Sequence, residues 1–111
     1  MQLKIVQLDV KITEEQVRYL NETLRMQLGR YAQIIELVSI IFSQGVDKFG
    51  QSVINCEADA ELVSSNKISA SNTSTRIDDS FYNAISRMKR QLGRQRRSNK
   101  RQINPVYFTN K

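Results

Sequence analysis

The chain has 111 residues, 40% apolar and 25% charged, which is typical of one globular domain. It contains no histidine and a single cysteine, so it lacks the commonest general base and metal ligand and forms no internal disulfide. No apolar run is long enough to span a membrane and the N-terminus shows no secretory pattern, so we expect a cytoplasmic protein.

The positive charge is concentrated in one segment of the chain. The formal net charge is +6, from 17 basic and 11 acidic residues, and residues 87–101 hold eight of the bases and none of the acids. The remainder of the chain is slightly acidic. We therefore expect this segment to determine which partner the protein binds.

The first predicted elements are a strand and a capped helix. Residues 2–8 alternate between apolar and polar side chains, which predicts a half-buried strand. Thr13 and Gln16 then have the spacing of a capping box, so a helix begins here. Its apolar positions continue at helical spacing to Tyr31, and Gly29 is expected to weaken the last turn.

Three strands follow this helix. Residues 35–43 carry apolar side chains on both faces, which predicts a central strand, and Gly45 and Gly50 are expected in the turn after it. Residues 54–62 alternate strictly, and their inward side chains are small, which suggests that a helix packs closely on this strand. Residues 67–72 alternate again after a short turn.

The strands offer little support for catalysis. Cys56 lies on an inward position, so we interpret it as a small buried residue and not as a reactive thiol. Glu57, Asp59 and Glu61 alternate to the other side, as on any solvent-exposed strand. Because the chain also lacks a glycine-rich phosphate loop, we expect no enzymatic activity, no cofactor, no metal and no small-molecule substrate.

The basic segment belongs to a second long helix. Thr75 and Asp78 predict a capping box at its start. Five apolar residues then recur at spacings of three and four and fall within an arc of roughly 80° on a helical wheel: Ile77, Phe81, Ile85, Met88 and Leu92. This apolar seam is expected to pack on the sheet.

The opposite side of the same helix carries arginines. The arginine stripe consists of Arg87, Arg90, Arg94, Arg97 and Arg101, and one flank adds Lys89, Arg96 and Lys100. Because the apolar seam ends before the stripe does, the last residues are expected to project beyond the domain or to fray. The guanidinium fork donates two hydrogen bonds to a phosphate, so a stripe without acids predicts a polyanionic partner. Arg25 and Arg30 in the first helix are weaker candidates for the same role.

Together these patterns predict an α+β fold in the order β-α-β-β-β-α. The first two strands should lie parallel and the others antiparallel, which makes a four-stranded mixed sheet with both helices packed on one face. We expect a single domain over residues 1–101 and a flexible tail over residues 102–111.

Several segments occur in the same order as in one known family. They are MQLKI at residues 1–5, VKIT at 10–13, ISAS at 68–71, and SFYNAIS at 80–86, followed by Leu92, Arg94 and Gln95. In these segments the chain resembles the ribosome hibernation promoting factor family, also called ribosome-associated inhibitors. That family has the same order of helices and strands.

The resemblance implies a short form of these factors, which binds the small ribosomal subunit in the channel used by mRNA and the tRNA anticodon stems. It implies a protein that silences the ribosome under stress and in stationary phase, with rRNA as its partner and no membrane. We also expect a monomer off the ribosome. The basic residues of the second helix match the RNA-contacting positions of the family better than those of the first helix do.

Two alternatives remain open at this point. A double-stranded-RNA-binding module shares the β-β-β-α portion, but it usually has a Gly-Pro-x-His loop and a Lys-Lys-x-Ala-Lys helix start, and this chain has neither. In the other alternative, the basic helix docks on an acidic protein or an anionic membrane surface. Against a membrane, the apolar face of the helix is needed for the core.

Overall fold

The computed structural model describes the backbone of residues 1–109 and the side chains of residues 1–97. The elements are β1 (Gln2–Gln7), α1 (Glu14–Leu28), a 3-10 helix (Gly29–Tyr31), β2 (Ile35–Val46), β3 (Ser52–Leu62), β4 (Lys67–Ser74) and α2 (Ile77–Thr109). This order confirms the predicted β-α-β-β-β-α fold. Most of the tail predicted at residues 102–111 falls within the range of α2; its side chains lie outside the described residues, so its flexibility stays a prediction.

The four strands form one sheet in the order β1-β2-β3-β4. β1 and β2 are parallel, because α1 carries the chain back between them, whereas both hairpins are antiparallel. In this register Ile5, Ile40, Ala58 and Ala70 lie side by side across the sheet. Such rows make the apolar face on which both helices pack.

The core lies between this face and the two helices. From β3 it takes Cys56, Ala58 and Ala60, which are at most 1% exposed. The predicted seam of α2 and three leucines of α1 cover them: Phe81, Ile85, Met88 and Leu92, with Leu20, Leu24 and Leu28. The short side chains of β3 leave room for large ones on the helices, as the sequence suggests.

Phe81 anchors α2 to the middle of the sheet. Its ring centroid lies 6.4 Å from that of Phe42 on β2, with the two planes tilted by 35°. Both side chains are at most 1% exposed. A tilted aromatic pair at this distance adds to the free energy gained by burying the two rings.

β2 and β3 are longer than the sequence predicts, because Gly45 pairs with Val53 within the ladder and does not lie in the turn. The prediction for Gly45 was therefore wrong. The turn is formed around Asp47, whose carboxylate accepts hydrogen bonds from the backbone N–H of Phe49 and of Gln51, each at 2.9 Å. Gly50 has a φ of +79°, a conformation that glycine adopts without strain.

The predicted cap of α1 is confirmed. Thr13 Oγ1 accepts the backbone N–H of Gln16 at 3.1 Å, and Gln16 Oε1 accepts the backbone N–H of Thr13 at 3.0 Å. At the other end the helix narrows into the 3-10 turn Gly29–Tyr31, where glycine weakens the α-helical pattern.

The predicted capping box of α2 was wrong. The helix begins at Ile77, and the backbone N–H of Ser80 donates to the carbonyl of Arg76 at 3.1 Å, so Arg76 and not Thr75 precedes the first turn. Within the described residues no hydrogen bond joins Thr75 to Asp78. The reason is that β4 continues to Ser74, which moves the helix start along the chain.

Candidate nucleic-acid interface

α1 and α2 lie side by side and run in the same direction. Near their first halves a hydrogen bond to Tyr19 raises the pKa of the Tyr82 hydroxyl above its usual value. Further along, Lys89 Nζ donates to Gln27 Oε1 at 2.8 Å. Beyond α1, Arg96 Nη1 on α2 donates to the carbonyl of Arg30 at 3.2 Å. These contacts fix which sides of α2 remain open to solvent.

The most open side of α2 carries Arg90, Arg94 and Arg97, which we call the arginine ridge. All three side chains are exposed, as the helical wheel predicts. The hydrogen bonds that described side chains of α2 make to other elements do not involve these three guanidinium groups. Their donors are therefore available to a ligand.

A groove runs along the ridge between α2 and the 3-10 helix that follows α1. Its volume is about 460 Å³, and besides the three arginines it is lined by Tyr31, Ser86, Lys89 and Gly93. We call it the Tyr31 groove. Its basic lining suits a phosphate-bearing ligand better than an apolar one.

Arg87 lies on the other flank of α2, over the edge strand β4. Its Nη1 donates to the carbonyl of Ser71 at 2.6 Å, and Gln91 Nε2 donates to the carbonyl of Ser69 at 3.0 Å. The Arg87 side chain is still exposed, so some of its donors face solvent. Its contact with RNA stays a prediction, and the structure adds a structural role.

Two of the basic residues on the flank of the stripe make contacts within the protein. Lys89 and Arg96 are both half-buried. The guanidinium carbon of Arg96 lies 4.8 Å from the centre of the Tyr31 ring, and that of Arg30 lies 5.8 Å from the same centre. Both distances are in the range of cation–π attraction. The two arginines therefore hold the ring of Tyr31, which lines the groove.

The other residues predicted to contact RNA are Arg25, Lys100 and Arg101. Arg25 is exposed in the last turn of α1. Lys100 and Arg101 lie in the range of α2, but their side chains are outside the described residues.

The sequence did not single out Tyr31 and Gly93 as site residues. Tyr31 fits the apolar pattern of the first helix, so it is predicted only as a core residue. Gly93 offers a signal, because a glycine inside a strong helical pattern usually has a reason in packing or function. The sequence does not show that the two residues meet.

The opposite face of the sheet carries mixed charge, with Lys4 on β1 and Lys67 on β4 beside the carboxylates of β3. Glu57, Asp59 and Glu61 project from β3 away from the helices, and the Ser69 hydroxyl donates to Asp59 Oδ1 at 2.6 Å. The arginine ridge and this mixed-charge face lie on opposite sides of the sheet. A polyanion is therefore attracted more strongly to the side with the ridge.

The described residues offer little for other chemistry. They contain no cluster of three or more histidine, cysteine or acidic side chains that could hold a metal ion. Burial raises the pKa of the Cys56 thiol to about 12, so it stays protonated at neutral pH and is a poor nucleophile. Across that same part of the chain, neither helix has an apolar stretch long enough to cross a membrane.

The structure resembles several solved structures. A ribosomal subunit interface protein from Coxiella burnetii aligns with a TM-score of 0.66 at 20% sequence identity, over 86% of this chain and 98% of its own. The N-terminal domain of Thermus thermophilus Protein Y aligns with a TM-score of 0.67 at 16% identity, over 85% and 98%. No family model and no curated protein matches the sequence. The fold implied by the family resemblance is thus confirmed, and this chain shares it with both proteins.

Proposed function

We propose that the protein binds rRNA of the small ribosomal subunit through α2 and thereby inhibits translation. The observation that carries this proposal is the arginine ridge, three exposed guanidinium groups on a helix whose other sides are held by the core, by α1 and by β4. One protein with this fold is described as a ribosomal subunit interface protein, which supports the ribosome as the partner.

Geometry favours RNA backbone as the ligand of the ridge. Arg90 and Arg97 are two helical turns apart, so the three guanidinium groups span about 10 Å along the axis. Each group donates paired hydrogen bonds to phosphate oxygens, and each neutralised phosphate releases condensed counterions. The opposite face of the sheet carries both carboxylates and lysines and has no comparable cluster of positive charge among the described residues, so α2 is the side that faces RNA.

In this proposal the protein inhibits translation by steric blocking. A rigid sheet with two helices fills the mRNA and tRNA channel of the subunit, and it makes no covalent change. Binding of this kind silences ribosomes reversibly, as stress and stationary phase require of a hibernation factor in the cytoplasm. The protein acts as a monomer without cofactor, membrane or small-molecule substrate.

Toeprinting on purified small subunits tests this mechanism. Subunits saturated with the protein are given mRNA and initiator tRNA, and the toeprint of the initiation complex is expected to weaken as occupancy rises. Excess mRNA and tRNA should displace the protein. A variant with Arg90, Arg94 and Arg97 changed to glutamine should leave the toeprint intact at the same concentration.

A toeprint of full strength on subunits that still carry the protein would show that competition is not the mechanism. Equal binding to a free RNA duplex and to the subunit would instead favour a double-stranded-RNA-binding module.

A further inference from the structure

The hydroxyl of Tyr31 opens into the Tyr31 groove. The residue as a whole is only 7% exposed, and its ring is part of the core. Within residues 1–97 no hydrogen bond to this hydroxyl is found, although every fully buried polar side-chain atom there has a partner. Tyr31 and Gly93 both line the groove, and the Tyr31 oxygen lies 3.7 Å from the point that a Cβ atom of residue 93 would occupy.

The groups around this hydroxyl are mainly donors. Arginine and lysine side chains donate hydrogen bonds and accept none, and they make up most of the lining. Lys89 already uses one of its donors on Gln27. A tyrosine hydroxyl among such groups finds an acceptor for its proton in solvent or in a ligand. An anion with several oxygens supplies that acceptor and also balances the charge.

Gly93 keeps the hydroxyl accessible. A Cβ atom at this position would lie 3.7 Å from Tyr31 Oη and 3.8 Å from Arg97 Nη1, which are ordinary contact distances. The protein itself thus has room for alanine here, and glycine costs a helix interior about 0.5–1 kcal/mol relative to alanine. Packing does not explain the glycine. A methyl group would, however, contact the hydroxyl where both residues line the groove, and we expect it to reduce access to that hydroxyl.

We propose that the Tyr31 groove binds one phosphate group of the RNA backbone, with the Tyr31 hydroxyl donating to a non-bridging oxygen. The arginine ridge supplies the positive charge, and the absence of a side chain at Gly93 lets the phosphate reach the hydroxyl. The proposal rests on the proposed function, since rRNA is the source of the phosphate. It adds a neutral, fixed donor that sets where along the helix the phosphate lies, which flexible arginines alone do not.

The test compares Tyr31→Phe with the wild type in binding to purified small subunits over a range of salt concentrations. Loss of a hydrogen bond to a charged group should raise Kd on the order of tenfold to a hundredfold. The salt slope should stay unchanged, because no charge is removed, whereas Arg94→Gln should lower the slope by about one contact. A higher Kd with an unchanged salt slope distinguishes the effect of the hydroxyl from general electrostatic attraction.

Two further variants control the experiment. Tyr82→Phe removes the same atom from an exposed tyrosine on α2 that does not line the groove, and its affinity should equal that of the wild type. Gly93→Ala should raise the thermal midpoint and still weaken binding, because the methyl group reduces access to the hydroxyl. A variant that is more stable and binds less well cannot owe its loss to misfolding.

A titration with inorganic phosphate tests the subsite independently of the ribosome. The amide NMR signals of Tyr31 and Gly93 should shift with phosphate in the wild type and far less in Tyr31→Phe. If the wild type binds subunits and both Tyr31→Phe and Gly93→Ala bind equally well, the subsite is wrong and the proposed function stands. If the wild type does not bind subunits, the proposed function fails, and the phosphate titration alone decides whether the groove is an anion site.

Discussion

The ammonium group of Lys89 donates a hydrogen bond of 2.8 Å to Oε1 of Gln27, and this contact joins the two helices above the sheet. Sequence alone assigns Lys89 to the flank of an RNA-binding stripe. In the folded protein its side chain is half-buried, and so is that of Arg96, which lies on Tyr31. Some of the positive charge of α2 therefore stabilises the protein itself.

Replacing Lys89 by methionine should affect stability more than binding. Methionine keeps the apolar stem but loses the hydrogen bond to Gln27, which should lower the free energy of unfolding by about 0.5–1.5 kcal/mol in urea titrations. Affinity for small subunits should fall less than in Arg94→Gln. Unchanged stability together with a large loss of affinity would show that Lys89 acts mainly on RNA.

The arginine ridge should be needed for binding and not for folding. Changing Arg90, Arg94 and Arg97 to glutamine should weaken subunit binding by orders of magnitude and leave the thermal midpoint within a few degrees, because the three side chains are exposed. Binding is measured by co-sedimentation with subunits, and the midpoint by circular dichroism.

The matched control removes the same charge from elsewhere. Lys4, Lys11 and Lys48 are exposed and lie outside the groove, and changing them to glutamine lowers the net charge by the same amount. Near wild-type binding is expected. If both triple variants lose affinity equally, net charge and not the position of the ridge controls binding.

The salt dependence of binding should report the number of phosphates contacted. If five to eight are neutralised, log K should fall against log salt with a slope on the order of −4 to −6. Filter binding between low and moderate salt measures it. A flat dependence would contradict an electrostatic interface, whatever the effect of single substitutions.

Two neighbouring aromatic residues on α2 should differ sharply in their effect on stability. Phe81 is 1% exposed and Tyr82 is 43% exposed. Phe81→Ala leaves a cavity beside Phe42 and should cost roughly 3–5 kcal/mol in the free energy of unfolding. Tyr82→Ala should cost much less in the same urea titration. Equal losses would mean that the buried face of α2 is assigned wrongly.

Stability should fall at alkaline pH because of Cys56. Its pKa is about 12 in the folded protein, against 9.0 for a free thiol, so the folded state keeps a proton that the unfolded state loses. This contribution to stability is complete below about pH 9 and is lost as pH rises towards 12, with about 1–2 kcal/mol gone near pH 10.5.

Cys56→Ala isolates this effect from the other groups that titrate at high pH. The variant should show a shallower loss of thermal midpoint than the wild type between about pH 8 and about pH 10.5. Parallel curves for the two proteins would contradict a buried, protonated thiol.

The regular elements could be predicted because burial imposes a period on the sequence. The inward row that includes Cys56 and Ala58 repeats every two residues, and the seam that includes Phe81 and Ile85 repeats every three or four. Where burial is weak the prediction failed. Gly45 and Ser74 belong to strands because their partners on β3 continue the ladder, and a partner strand is not visible in the local sequence.

Only the exposed residues of the candidate site could be predicted from the sequence. Arg90 and Arg94 are open because no apolar residue competes for their side of the helix. The contacts of Lys89 and Arg96 involve residues 62 and 66 positions away in sequence, so they depend on how α1 packs. The Tyr31 groove is hidden for the same reason.

β4 is the edge strand beside α2, and an edge strand normally offers its free backbone groups to a strand from another molecule. Here the carbonyls of Ser69 and Ser71 already accept hydrogen bonds from Gln91 and Arg87. A second copy that came to extend the sheet at this edge would have to displace an amide and a charged guanidinium before it formed its first backbone pair. The helix that presents arginines to solvent therefore also protects this edge of the sheet from addition of neighbouring chains.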